Sequence, residues 1–225
     1  MVKDTETLAT REDIRIRDQM AKMVDTYDKY MNRITLGREE KLRNMTVDLA
    51  QIREGDNVLE IGCATGSLTV AAKKRAGSSG SVSAIDLIPG MIEASRKKAK
   101  SLGLEINFQT GSIENIPFPD QQFDVVICSF MIFHMSEQVR NKGIEEIFRV
   151  LKPTGRLLVL DIAVPPRVWS GRFLKLILGF LFKHDLDELQ PKLESTGFST
   201  IEISRAPFRV LGLPLLSFLK AFKLA

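Results

Sequence analysis

The stretch Val58-Leu59-Glu60-Ile61-Gly62-Cys63-Ala64-Thr65-Gly66-Ser67 constrains this chain more than any other. Val58 to Ile61 reads as a buried strand, a turn of small residues follows, and Leu68-Thr69-Val70-Ala71-Ala72 begins a helix. A tight strand–turn–helix without bulky side chains lets a ligand approach the backbone. The helix N-terminus adds unpaired N–H groups and a partial positive charge. The turn is not the dinucleotide fingerprint G-x-G-x-x-G, because Gly62, Ala64 and Gly66 are spaced by two. Glu60 precedes the first glycine by two and would repel a pyrophosphate; it suits a ligand with an ammonium or sulfonium group. From this motif alone, a plain tight connection between strand and helix remains the other reading.

The rest of the chain repeats the alternation. Residues 1–20 are polar and charged and read as a frayed helix or arm. Residues 21–52 read as two helical pieces broken at Gly37, the first carrying Met23, Tyr27, Tyr30, Met31 and Ile34, the second Leu42, Met45, Leu49 and Ile52. The aromatic-rich segment at Tyr27 and Tyr30 has two readings, a helix packed on a sheet edge or a lid over a site. Ser81–Asp86 reads as a second strand, and Pro89 opens a helix to about Leu102, with Arg96, Lys97, Lys98 and Lys100 as a solvated basic face. Residues 105–110 form a third strand, and Gly111–Asp120 a loop with a short helical turn. Phe123–Cys128 is a continuous apolar strand suited to the centre of a parallel sheet. An amphipathic helix over 137–151, a turn at Lys152-Pro153-Thr154-Gly155 and a strand from Arg156 to Ile162 follow. This order predicts an α/β, doubly wound, mostly parallel sheet with helices on both faces. Ligands in such sheets sit beyond the C-terminal strand ends, where Glu60, Asp86, Ser112 and Ser129 all fall. Asp86 stands about twenty residues past the turn, where two carboxylate oxygens can accept from two vicinal hydroxyls.

Composition narrows the class. The 225 residues suffice for one sizeable domain, with 44% hydrophobic and 27% charged residues, as in ordinary globular proteins. A net charge of +4 is too small an excess to call for nucleic acid. Two cysteines, one inside the turn, make neither a disulfide framework nor a metal site, and the reading is of a reduced, cytoplasmic chain. No signal-peptide pattern opens the sequence, and no apolar run reaches the length of a membrane span.

Together these motifs resemble the class I S-adenosylmethionine-dependent methyltransferases. The resemblance rests on Glu60-x-Gly62 with Gly66, Asp86 with Pro89-Gly90-Met91, Gly111 to Phe118, Phe123-Asp124-Val125-Val126, and Val150 to Gly155. Ala64 stands at the middle glycine of the family turn. Within the family the chain is most similar to the ubiquinone/menaquinone C-methyltransferase-like branch. The resemblance implies a Rossmann-like, seven-stranded sheet ending in an antiparallel hairpin, with S-adenosyl-L-methionine as cofactor. It places Gly62, Cys63 and Gly66 against the methionine part, Glu60 toward its ammonium, and Asp86 on the ribose hydroxyls. Leu87 would lie beside the adenine, Ser112 and Ile113 at its edge, and Ser129 would close the cofactor side. Many relatives carry aspartate where Ser112 stands.

Methyl transfer is an in-line displacement in which the protein supplies orientation and a dry pocket. No metal is needed, and no compact ligand cluster is visible in the sequence. An acceptor that must lose a proton needs a base, and His134 follows the fourth strand, where an acceptor could sit; a packing or capping histidine is the other reading. His184 reads as an exposed turn residue. Residues 1–52 read as a helical cap or lid and 53–225 as the core, with a cationic amphipathic insertion near 165–184 carrying Trp169, Phe173, Leu176, Ile177 and Phe180. Leu211 to Leu224 repeats that character with Lys220 and Lys223. Such segments suit a membrane surface or an apolar acceptor, an isoprenoid quinone or lipid; a substrate cap, a dimer face or plain core is the alternative. Three further functions stay open: methylation of a small metabolite or protein side chain, a non-catalytic cofactor-binding protein and, more distantly, a dinucleotide oxidoreductase.

Overall fold

The computed structural model describes residues 10–162, 185–211 and 215–224. Three helices open the chain: α1 (Arg11–Ala21), α2 (Tyr27–Ile34) and α3 (Glu39–Leu49). The alternating core follows as β1 (Asn57–Ile61), α4 (Ser67–Ala76), β2 (Ser81–Asp86), α5 (Pro89–Ser101), β3 (Asn107–Thr110), β4 (Phe123–Ser129), α6 (Glu137–Val150) and β5 (Leu151–Ile162). A short helix α7 (Gln190–Thr196) and strands β6 (Phe198–Arg205) and β7 (Leu216–Lys223) complete it. The seven strands are ordered β3-β2-β1-β4-β5-β7-β6. β3 to β5 run parallel, and β7 lies antiparallel between β5 and β6. Strand order reverses between β1 and β4, the switch point where such sheets open a crevice at their C-terminal ends.

Alternation along the strands explains why both faces are covered. Leu59 and Ile61 of β1 join Val126, Cys128, Leu157 and Val159 against α6, through Ile144, Ile147 and Val150. Val58, Val82, Val125, Ile127 and Leu158 point the other way, onto α3 through Val47 and α4 through Leu68, Ala72 and Ala76. Successive strand residues face opposite sides, so a strand buried on both faces reads as an unbroken apolar run. Each fully buried Leu or Ile contributes roughly 1.5–3 kcal/mol. Cys63 and Cys128 are both buried and free.

Four readings from the sequence need correction. The turn expected at Lys152–Gly155 is absorbed into β5, which begins at Leu151; its pairing with β4 jumps from Phe123↔Leu151 to Val125↔Arg156. Thr154 takes up the irregularity at φ 65°. The helical turn expected after Gly111 is an antiparallel bridge between Ser112 and Asn115. The basic face of α5 is not wholly solvated: Arg96 donates to the Phe108 carbonyl at 2.6 Å, and Lys98 bonds Ser67 Oγ at 2.8 Å.

Most consequential is the segment Leu211 to Leu224. Leu216–Lys223 is a strand, with Leu219 and Ala221 in the core on one face and Leu216 in the core on the other. Lys220 pairs with Glu202 at 2.8 Å, and Lys223 donates to the Phe148 and Leu151 carbonyls, both at 2.8 Å. Those lysines hold the sheet together, and the segment is not an amphipathic surface helix. The other cationic segment, near 165–184, and His184 lie outside the described residues. Among the described residues no helix is long and apolar enough to cross a membrane.

Candidate functional site

The small-residue turn between β1 and α4 is shaped by three left-handed residues in five: Gly62 at φ 71°, Ala64 at 48° and Gly66 at 79°. Gly62 and Cys63 both donate their N–H to the Ile85 carbonyl, at 2.8 and 3.1 Å, tying the turn to the end of β2. A Cβ on Gly62 would come within 3.0 Å of the Met131 side chain, and one on Gly66 within 2.9 Å of Ser95. Ala64 carries its Cβ in a conformation that costs an L-residue about 1–2 kcal/mol. Its N–H is fixed by a 2.9 Å bond to Asp86 Oδ2.

Asp86, at the end of β2, accepts from Ile88 N on its other oxygen at 2.9 Å. Burial raises its pKa, and the two N–H donors work against that rise. Each carboxylate oxygen still has lone-pair capacity for a hydroxyl. Asp86, Gly62, Leu87, Ser112, Ile113 and Ser129 all line one cavity of about 180 Å³ beyond the strand ends. Ser129 Oγ is buried there without a hydrogen-bond partner among the described residues.

Three of the residues named from the sequence lie outside the wall of that cavity. Glu60 is buried beneath the turn and accepts from the Thr69 hydroxyl. Desolvation pushes its carboxyl up to about 8, against the Thr69 bond and the charge of Arg43. The Cys63 thiol turns toward Ser95 Oγ at 4.0 Å, and burial pushes its pKa up. Gly66 caps α4, where its role is backbone shape.

An adjoining cleft of about 700 Å³ shares Tyr27, Phe130, His134 and Met135 with the cavity. His134 closes a single turn at Ile132–His134, and burial lowers its pKa, which favours the neutral imidazole. Tyr27 is held protonated by burial, which pushes its hydroxyl up to about 12. Tyr30 is 42% exposed and lines only the cleft. Its helix α2 buries Met31 against Leu42, Leu160 and Leu216. Asp28 of the same helix accepts from Thr65 of the turn and pairs with Lys98 at 3.0 Å.

Sequence reasoning read a helical cap over residues 1–52 but named no residue of its first helix as part of the site. Asp13, Ile16, Arg17 and Met20 of α1 all line the cavity. Thr10 and Asp13 form a capping box, a pattern readable at three-residue spacing, although the short Asp at N3 is not the usual Glu or Gln. Asp13 Oδ1 also accepts from Ser136 N at 2.7 Å. Partial burial opposes its charge, yet the bonds from Thr10 and Ser136 hold its carboxyl below the usual range. Asp161, near the end of β5 and a wall of the cleft, was also missed. The rule that singled out the other strand ends applies equally to it. Among the described residues no group of three His, Cys, Asp or Glu side chains is placed to hold a metal ion.

Residues 58–155 match the methyltransferase domain family. This stretch therefore carries a methyltransferase domain, set in a seven-stranded sheet of the order described above. Its sequence is similar to the ubiquinone/menaquinone biosynthesis C-methyltransferase UbiE of Pasteurella multocida, 34% identical over 141 residues, covering 62% of this chain and 52% of that protein. The demethylmenaquinone methyltransferase of Lactobacillus johnsonii is 31% identical over 152 residues, covering 67% and 62%. The chain thus spans about half to three-fifths of the length of these curated relatives. In fold it is similar to a SAM-dependent methyltransferase from Aquifex aeolicus, with a TM-score of 0.61, 24% identity and coverage of 92% and 97%. The [4+2]-cyclase SpnF superposes with a TM-score of 0.68 at 18% identity, covering 83% and 81%. Likeness of this degree concerns the fold, and one fold hosts several reactions.

Proposed function

We propose that this chain is an S-adenosylmethionine-dependent methyltransferase that passes its methyl group to an apolar acceptor of the isoprenoid-quinone or lipid type. The observation that carries this is the convergence of Gly62, Asp86, Leu87, Ser112, Ile113 and Ser129 on one cavity that adjoins a larger cleft walled in part by Met, Ile and Phe side chains. The names of the curated relatives support the quinone class.

The residues present fit the cofactor. Asp86 has spare lone pairs for two ribose hydroxyls, and the unpartnered Ser129 Oγ offers a further polar contact in the same wall. Leu87 and Ile113 supply apolar surface for the adenine, and Ser112 a hydroxyl for its edge. Gly62 leaves room that a Cβ would take. Glu60 acts from below, shaping the turn through Thr69, and its buried carboxyl favours a positive group above it. When bound, the cofactor supplies an electrophilic methyl group. His134 borders both spaces as a neutral imidazole and is the group in this wall suited to accept a proton from the acceptor. Tyr27, held protonated, donates across the same boundary.

Residues 10–52 act as the cap, and their parts differ. The 180 Å³ cavity opens beside the 700 Å³ cleft, and α1 lines both, so movement of this helix widens the cofactor side. α1 has no buried residue and is latched through Asp13 and Ser136, whereas α2 is anchored by Asp28 and Met31. α1 is therefore the moving lid, and Tyr27 and Tyr30 are the fixed wall of the acceptor side.

Titration calorimetry of the full chain with S-adenosylmethionine and S-adenosylhomocysteine tests this reading. Micromolar binding of both is expected, followed by methylation in a screen of quinols and lipids. Absence of binding to either would remove it. Binding of both without turnover on any acceptor would favour a cofactor-binding protein instead.

A further inference from the structure

We infer that Asp161 is the acceptor-recognition residue of the cleft, its free Oδ2 receiving a hydrogen bond from a hydroxyl group on an apolar methyl acceptor. The inference rests on the methyltransferase reading and names the group that sets specificity within it.

Asp161 is the penultimate residue of β5 and only 6% exposed. Pairing with Ser217 on β7 fixes its backbone. Its Oδ1 accepts from Ile162 N at 2.8 Å, while Oδ2 is buried with no hydrogen-bond partner among the described residues. A buried acceptor left unsatisfied costs about 1–3 kcal/mol, and native proteins keep few of them. Asp161 lies in the wall of the 700 Å³ cleft, which carries apolar and aromatic groups such as Met31, Ile34, Phe130 and Phe133 beside the carboxylates of Glu12, Asp13, Glu137 and Glu188. An orphaned hydrogen-bond acceptor beside such apolar groups is complementary to an apolar molecule that brings a donor.

The donor is a hydroxyl rather than an ammonium because an ammonium would lose its hydration on entering these walls, a far larger cost than that of a hydroxyl. The charges of the cleft are mixed, Arg140 standing with the carboxylates of Glu12, Asp13, Glu137 and Glu188. Burial lifts the Asp161 carboxyl to about 7, against the backbone N–H groups of Ile162, Phe133 and Ile132. A ligand O–H that bonds Oδ2 stabilises the ionised form.

The test uses the full chain and the fluorescence of two probes, 2-naphthol and its methyl ether 2-methoxynaphthalene, which differ in the O–H donor. The wild type should bind the naphthol about tenfold more tightly, the ratio expected of one hydrogen bond to a carboxylate. Asp161→Ala should abolish that preference, and Asp161→Asn, which keeps the side-chain shape, should shrink it. Affinity for S-adenosylhomocysteine should be unchanged in both variants, because Asp161 does not border the smaller cavity. A wild type without the preference, or variants that retain it, would overturn the inference. Failure of the wild type to bind S-adenosylhomocysteine would instead sink the methyltransferase reading, and the naphthol ratio would still decide the role of Asp161.

Discussion

Asp86 and Asp161 occupy equivalent places, buried at the C-terminal ends of β2 and β5, yet they are satisfied in opposite ways. Asp86 accepts a backbone N–H on each oxygen, from Ile88 and from the left-handed Ala64. Asp161 has a donor on Oδ1 and none on Oδ2. The first carboxylate belongs to the scaffold as well as to the site, since it holds the turn whose shape makes the cavity. The second accepts from Ile162 N on Oδ1 and is also favoured by the N–H groups of Phe133 and Ile132, and its Oδ2 is the atom proposed to meet a ligand. Glu60 stands between them, bonded at Oε2 by a hydroxyl and otherwise sealed under the turn. Burial at a strand end does not by itself define a role; the donors already in place do.

The largest expected effect comes from Asp86. Asp86→Ala should weaken S-adenosylhomocysteine binding at least about tenfold, as loss of charged hydrogen bonds implies, while the protein still folds. Two N–H groups lose their acceptor, so denaturant unfolding should also show a loss of about 1–3 kcal/mol. Unchanged affinity by calorimetry would erase the contrast with Asp161.

Glu60 comes next. Its carboxyl titrates near 8 when folded, against 4.5 ordinarily. The folded state thus holds the proton more tightly, so this group's contribution to stability is intact below about pH 4.5 and is lost as pH rises to about 8. Glu60→Gln, which keeps an acceptor for Thr69, should flatten that fall. Parallel melting curves for wild type and variant across the window would show that Glu60 carries no buried charge.

Asp161→Asn follows the same sign over a lower window, from about 3.8 to about 7. The variant should match the wild type near pH 4 and melt about 2–4 °C higher at pH 8, where the wild type carries an incompletely satisfied charge. A lower melting temperature at pH 8 would mean that the carboxylate is structural after all, as Asp86 is.

The smallest effect belongs to the roof. Asp13→Ala removes the bond to Ser136 N and part of the α1 cap. Release of S-adenosylhomocysteine should quicken by about fivefold, the worth of one ordinary hydrogen bond, with little change in melting temperature. Stopped-flow release at the wild-type rate would leave α1 without a gating role.

Residues read by local rules fared differently from those read by surroundings. Gly62, Asp86, Ser112 and Ser129 were visible because strand ends converge in a parallel sheet whatever the loops do. Glu60 and Cys63 sit in the same motif, but strand alternation and the sharp turn direct their side chains into the interior, to Thr69 and Ser95. Residues 1–20 read as a frayed helix or arm because they are polar and charged; α1 has no buried residue, and Asp13 ties it to Ser136 N at the start of α6, 123 residues away. Lys98 looked like one of a solvated row until α2 brought Asp28 to it.

Local sequence determined the succession of strands and helices, the tight turn after β1 and the acid closing β2, since periodicity and small residues act over a few positions. Only the tertiary structure decided that Leu216–Lys223 is an interior strand with its lysines bound to carbonyls and Glu202. It alone brought Asp161 to the cleft with an oxygen to spare and set α1 over the cavity. Such outcomes depend on partners supplied from distant parts of the chain, and a side chain's chemistry follows from the donors, charges and walls that packing places around it.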